Sequence, residues 1–220
     1  MQYIKGLDAF DGRNQTAVTL GKFDGLHRGH QKLLNRIIKY AQKEDCDSVV
    51  CAFDMDRDCL MTNEERRAFL EDKVDYLIEI PFTREMMEME AEKFIEEILY
   101  KKLHASHIVV GTDFNFGHEK RGNHQMLEKY AAKYGYTVDV VEKAYYKDRE
   151  ISSTYIRELL LDGNVPLANE LLGYPYEITS VVEHGQQLGR TLGFPTMNLA
   201  PQEKKILPKY GVYACRVLVD

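Results

Sequence analysis

Two histidines three positions apart, His27 and His30, straddle Gly29 in the run Gly21-Lys22-Phe23-Asp24-Gly25-Leu26-His27-Arg28-Gly29-His30. An apolar stretch ends at Leu20 and an amphipathic one begins near Gln31, so the run reads as a loop between a strand and a helix. The first amides of a helix lack intrahelical partners and lie at the positive end of its dipole, which makes such a junction an anion site. Glycines at 21, 25 and 29 let the backbone approach a ligand. Both imidazoles can donate to phosphoryl oxygens, so the chemistry expected here is recognition of a phosphate or nucleotide.

A second group with matching chemistry is Ile151-Ser152-Ser153-Thr154-Tyr155-Ile156-Arg157, at the start of another helix. Either Ser152 or Ser153 suits the cap. Arg157 lies one turn beyond Ser153 on the same face, where a guanidinium can reach a phosphate. A third loop, Gly111 to Gly122, follows a further apolar run and is also bounded by glycines.

The elements that must position these loops follow from periodicity. Strands are expected at Thr16 to Leu20, Ser48 to Phe53, Tyr76 to Ile80, His107 to Val110 and Thr137 to Glu142. Helices are expected at Gln31 to Lys43, Asn63 to Lys73 (capped by Thr62 or Asn63), Glu88 to Leu103 and Gln125 to Tyr134, with another after Ile151 and a short one from Val165 to Leu172. Alternating strands and helices of this length imply an α/β fold with a parallel sheet covered on both faces, and ligands in such sheets bind beyond the strands' carboxyl ends. After Gly173 the helical period disappears. Tyr176 to Glu183 and Val212 to Val219 are β-rich and separated by glycines and prolines, the start of an all-β unit.

Of 220 residues, 44% are apolar and 29% charged, the balance of an ordinary globular protein with a sizeable core. The net charge is -6 and the basic residues are dispersed, which excludes long nucleic acid as a partner. Cys46, Cys51, Cys59 and Cys215 have no C-x-x-C spacing and are expected to be reduced thiols. No metal site built wholly from protein is expected; His104 and His107 read as a helix end followed by a strand. Without a signal pattern or a membrane-length apolar run, the expected location is cytoplasmic, with no membrane partner.

With these segments in place, the chain resembles the bacterial bifunctional riboflavin kinase/FMN adenylyltransferases, or FAD synthetases. GKFDGLHRGHQ resembles the family's first nucleotidyltransferase motif, VVGTDFNFGHEKRGN its second loop, ISSTYIR its Ser/Thr-Arg helix, and GRTLGFPTMNL the phosphate and magnesium motif of the kinase module. The resemblance implies a Rossmann-like nucleotidyltransferase domain over residues 1–173, transferring AMP from ATP to FMN to give FAD and pyrophosphate. It implies a riboflavin kinase-like β-barrel module beginning within 174–220. The implied small-molecule substrates are ATP and FMN, with riboflavin for the second module, and Mg2+ bridging phosphates. His27, His30 and Arg157 would be catalytic, and Gly21, Phe23, Asp24, Gly29, Ser153 and Thr154 would bind ATP. Asp113 would stand at the junction of nucleotide and flavin phosphate with Phe114 beside it, although Phe114 and Phe116 also suit buttressing of the loop. Phe82 matches a family phenylalanine of the flavin pocket, and Thr196 and Asn198 would serve ATP and magnesium in the kinase module.

The chain departs from the family pattern after the second strand, where Phe53-Asp54-Met55-Asp56-Arg57 replaces a Phe-x-Pro-His-Pro type sequence on the flavin side. The kinase resemblance stops at Asp220, ahead of the family's catalytic glutamate, so riboflavin phosphorylation is not expected of this polypeptide alone. Two other readings share part of the pattern: a different His-x-Gly-His nucleotidyltransferase or synthetase core, and a non-catalytic flavin or nucleotide sensor. The first lacks a Lys-Met-Ser-Lys-Ser-like loop in its synthetase form, and the intact histidines and Arg157 argue against the second.

Overall fold

In the computed structural model, which describes residues 1–54, 58–186 and 188–219, six parallel strands form one sheet. They are β1 (Gln2–Lys5), β2 (Gln15–Gly21), β3 (Cys46–Phe53), β4 (Tyr76–Ile80), β5 (Ala105–Gly111) and, after the two-residue β6 (Asn115–Phe116) and β7 (Gly122–Asn123), β8 (Thr137–Val141). The spatial order is β1-β4-β3-β2-β5-β8. From β2 the chain steps outward through β3 and β4, then returns to β2's other side for β5 and β8. The order therefore reverses at β2, and the crevice of a parallel sheet opens at its carboxyl end.

The strands are buried on both sides, which explains their nearly unbroken apolar character. Ala17, Val50, Ala52, Leu77 and Val109 face one core with Leu34 and Ile37 of α1 (Arg28–Lys43) and Leu70 of α2 (Asn63–Leu70). Val18, Leu20, Val49, Cys51, Ile78, Ile108 and Val110 face the other, with Phe94, Ile95, Leu99 and Leu127. Thr62 caps α2 in a capping box with Glu65.

Two expectations are corrected. The sheet has a sixth strand, β1, which pairs with β4; four residues at the start of the chain carry too short a pattern to announce a strand. The helix expected over Glu88 to Leu103 is broken into α3 (Arg84–Glu88), α4 (Ala91–Lys93) and a π-helical stretch, Phe94–Lys102. The break has a use: Met89 O accepts the amide of His118 at 2.7 Å, and a Cβ on Gly117 would stand 2.7 Å from the Ala91 Cα. Only glycine permits this approach, which moors the loop after β5. The wider turn, with Leu103 N bonded to Ile98 O at 2.9 Å, keeps Phe94, Ile95, Leu99 and Leu103 all against the sheet.

After α5 (His124–Tyr134), the hairpin of β9 (Tyr145–Tyr146) and β10 (Arg149–Glu150), α6 (Ser153–Asp162) and α7 (Val165–Leu172), the β-structure among the described residues is β11 (Val182–Glu183) paired with β12 (Asn198–Leu199) and a single parallel bridge between Cys59 and Lys205. Residues 212–219, β-rich in sequence, carry no strand among the described residues. Of the altered loop after β3, Asp54 is described and Met55, Asp56 and Arg57 lie outside the described residues.

At the carboxyl end of β4, Glu79 is 3% exposed and binds Arg66 at 2.9 Å, Arg67 at 3.1 Å and the Tyr3 hydroxyl at 2.6 Å. Burial opposes its ionisation, but the hydrogen bonds from Tyr3, Arg66 and Arg67 and the guanidinium charge outweigh it and hold the carboxyl below its ordinary value. A carboxylate with a depressed folded pKa stabilises above the ordinary carboxylate range and loses that contribution as pH falls through the folded value. Glu79→Gln leaves Arg66 buried with its charge unbalanced and is expected to cost about 3 kcal/mol at pH 7. Urea unfolding should show the difference from wild type shrinking in acid; a constant difference down to acid pH contradicts this account.

Candidate active site

The loop between β2 and α1 is strained and buried. Phe23 and Leu26 have φ of 46° and 35°, in the left-handed region, yet both side chains are fully buried. Bulky residues adopt such angles only where packing over-determines them, and such strain collects at functional sites. Gly25, at φ 79°, has no such penalty, and a Cβ there would meet Leu60 Cδ1 at 2.9 Å. Tyr174 OH donates to Gly25 O at 2.5 Å, and Gln31 Nε2 to Leu26 O at 2.8 Å.

His27 is the N-cap residue of α1 and gives the helix no side-chain cap, so the first-turn amides are left for another acceptor. Its ring folds back over the helix start, where a Cβ on Gly29 would stand 3.1 Å from its Cε1 and Nδ1. It stacks on His30 with centroids 3.8 Å apart and planes 23° apart, and Phe23 meets His30 edge-on at 5.3 Å. Nδ1 of each histidine is buried without a hydrogen-bond partner among the described residues. Burial lowers the His27 pKa to about 4, and burial together with the charge of His27 holds His30 well below the ordinary imidazole value. At neutral pH the pair is uncharged, with one N–H donor on each ring.

Asp24 is 2% exposed and engaged from three sides. Oδ1 accepts the amides of Leu60 at 2.8 Å and Met61 at 3.3 Å, Oδ2 pairs with Arg157 Nη2, and the backbone carbonyl accepts Ser153 Oγ at 2.8 Å. Ser152 is the actual cap of α6, accepting Tyr155 N, which leaves Ser153 for this contact. Thr154 is exposed at the helix start. The fold thus joins the loop of His27 and His30 to the helix start of Ser153 and Arg157, more than a hundred residues away, through one residue, Asp24.

Asp24 directs its carboxylate oxygens at Leu60, Met61 and Arg157, and the Phe23 side chain is fully buried beside its left-handed backbone.

The remaining candidates fall into separate groups. Asp113 follows β5, with 67% of its side chain exposed, and its Oδ2 lies 3.0 Å from Lys143 Nζ. Lys143 also binds Glu150 at 2.9 Å, and these partners, Glu150 first and then Asp113, raise its pKa. Phe114 packs against the core and stacks on buried Phe116 at 5.6 Å, which is the buttressing role. Phe82 is 55% exposed and meets Phe53 edge-on at 5.8 Å. Thr196 and Asn198 lie in the C-terminal segment beside Gly189 and Gly185. A cavity of about 320 Å³ adjoins Asp24, between Asp54, Asn63 and Arg66 on one side and Gln202 to Lys205 on the other. Sequence reasoning missed Lys143, the Leu60 and Met61 amides and Lys205; no periodicity or motif signals them, because each acts through a contact distant in the chain.

A parallel sheet whose order reverses at β2, with an imidazole pair at the next helix start, has the form of an α/β nucleotidyltransferase. Residues 10–155 match the FAD synthetase family and residues 172–220 the riboflavin kinase family. The chain is 35% identical over 230 residues to the bifunctional riboflavin kinase/FMN adenylyltransferase of Buchnera aphidicola subsp. Schizaphis graminum, covering 99% of this chain and 73% of that protein. It is 34% identical to the protein of the same name from Escherichia coli K12, covering 99% and 74%. A solved structure described as a macrolide-efflux protein from Streptococcus pneumoniae superimposes with a TM-score of 0.85 at 32% identity, over 96% of this chain and 72% of that one. Among the described residues no helix is long and apolar enough to cross a membrane. The chain belongs to the bifunctional riboflavin kinase/FMN adenylyltransferase family.

Imidazoles buried in the neutral form bind fewer protons than in the unfolded chain, so stability falls as pH drops from the ordinary imidazole value toward about 4. Urea midpoints should decline between pH 7.5 and 5.5, and His27→Asn should reduce that decline; an unchanged slope in the variant contradicts the assignment.

Proposed function

We propose that residues 1–173 form an FMN adenylyltransferase unit, with residues 174–220 belonging to a riboflavin kinase-like β module. The unit transfers AMP from ATP to FMN, giving FAD and pyrophosphate. The observation that carries the reading is the neutral His27 and His30 pair at an uncapped helix start, beside the Ser153 to Arg157 helix start. The family matches on either side of the division support the domain assignment.

An oxygen of the FMN phosphate attacks the α-phosphorus of ATP, a new P–O bond forms, and the bond to the β-phosphate oxygen breaks. The nucleophile is already an anion, so no general base is required. Catalysis reduces to alignment and to neutralising charge on the α-phosphate and the departing pyrophosphate. The N–H donors of His27 and His30 and the first amides of α1 face the phosphoryl oxygens. These donors are rigid: stacking, Phe23 and Gly29 set the rings before any ligand arrives. Ser153, Thr154 and Arg157 meet the triphosphate from the second helix start, with Arg157 steadied by Asp24 on the leaving-group side.

A magnesium ion bound together with the triphosphate would supply charge neutralisation along it; Asp24 and Asp113, the acids nearest the expected phosphates, pair with Arg157 and Lys143. Lys143 also explains how an acid such as Asp113 is tolerated beside polyphosphate, since the ammonium offsets its charge. Phe82, exposed beyond β4 on the same sheet edge, offers a face for a flavin ring. A cytoplasmic setting is part of the proposal, supported by the free thiols of all four cysteines.

With ATP, Mg2+ and FMN, the protein is expected to release pyrophosphate and form FAD, and His30→Ala to lower kcat by about 10²-fold to 10³-fold. Near-normal FAD formation by that variant would sink the assignment, and nucleotide binding without turnover by the wild-type chain favours the sensor reading.

A further inference from the structure

Residues 202–206, inside the stretch matched to riboflavin kinase, run back to the segment between β3 and α2. Cys59 N donates to Lys204 O at 2.7 Å and Ile206 N to Cys59 O at 3.0 Å, a parallel bridge about Lys205. Ile206 is buried with Leu60, Ile156, Leu160 and Leu171. The Lys205 side chain is 3% exposed; its Nζ donates to Leu60 O at 2.8 Å and to Glu65 Oε2, on a side chain 6% exposed. The ammonium also sits 4.5 Å from the centroid of the Tyr176 ring, whose hydroxyl donates to Ile206 O at 2.6 Å.

Glu65 is the anchor on the other side. Its Oε2 closes the capping box on Thr62 N at 2.9 Å, and its Oε1 accepts Thr179 N at 3.2 Å, a second contact from the C-terminal segment. A buried ion pair adds little net stability over an apolar replacement, because desolvation offsets the attraction; its attested use is to specify one arrangement. Here the arrangement leads to the active site. Lys205 holds the carbonyl of Leu60, the amide of Leu60 holds Asp24 Oδ1, and Asp24 Oδ2 holds Arg157.

We propose that Lys205 is a positioning residue for adenylyl transfer: it clamps Leu60 and Glu65, so that Leu60 sets Asp24 and Asp24 sets Arg157. The proposal rests on the assignment of Arg157 to the leaving-group side of the site. The β-rich segment thereby contributes to the chemistry of the other unit without touching its substrates, and adenylyl transfer depends on that segment being docked.

The test measures kcat for FAD formation and KM for ATP in the full chain, with thermal unfolding alongside, for wild type, Lys205→Met, Lys205→Arg, Arg157→Ala and Lys205→Met/Arg157→Ala. Lys205→Met is expected to lower kcat by about tenfold to 10²-fold, the cost of a small misplacement, while Lys205→Arg keeps most of it. In the Arg157→Ala background, Lys205→Met should change kcat by less than about twofold, because residues acting as a unit are not additive. Should Lys205→Met not fold, Lys205→Gln, which retains a donor for Leu60 O, takes its place in the same cycle. Full kcat in the Lys205 variant, or the same loss in both backgrounds, overturns the inference and leaves the function standing. A wild-type chain without adenylyl transfer, or an unaffected Arg157→Ala, overturns the functional assignment and the inference with it.

Discussion

The carboxylate of Asp24 is the constraint on which the site depends. Four groups converge on this one buried residue: the amides of Leu60 and Met61, the guanidinium of Arg157, and the hydroxyl of Ser153 at its carbonyl. A carboxylate removed from water must have each oxygen satisfied, and it will order whatever supplies the donors. The loop after β2, the segment before α2 and the start of α6 are therefore held in one geometry. Strain in the loop at Phe23 and Leu26 is sustained by the same contacts and by complete burial of both side chains.

That constraint separates two tasks. Asp24 and Phe23 hold the loop's shape through buried contacts, while His27, His30 and the first amides of α1 have hydrogen-bonding capacity left over. Nδ1 of each histidine is buried and unpartnered among the described residues, a cost that a structural histidine would avoid. Burial keeps the rings neutral, so they act as fixed dipoles. This suits a reaction between two anionic partners, in which alignment matters more than proton transfer.

The same logic extends beyond the loop. Lys143, just past β8, pairs with Asp113 after β5 and with Glu150 of β10, and Arg66 and Arg67 pair with Glu79 at the end of β4. The carboxyl edge of the sheet thus carries cations beside several of its acids, which lessens the repulsion that a polyphosphate meets there. Lys205 and Glu65 complete the pattern from the C-terminal side, in the best-buried of these pairs along with Arg66 and Glu79.

Much of the architecture was legible in the residues alone. Apolar runs at β2 to β5 are continuous because both faces are covered, and helical spacing at 34, 37 and 41 requires a sheet beneath it, so the parallel α/β fold follows from local pattern. The His-x-Gly-His loop was legible because glycine and histidine at that spacing have few other uses. What local pattern does not carry is pairing across the chain. β1 finds its place only through β4, and Glu88 to Leu103 gives up one regular helix to moor the loop at Gly117. Asp24 becomes a keystone because Leu60, Met61, Ser153 and Arg157 arrive from elsewhere, and Lys205 has meaning only beside Glu65. Periodicity reports the environment of one segment at a time. Which donor reaches which buried acceptor is settled by the tertiary structure, where desolvation leaves each polar group only the partners the packing supplies.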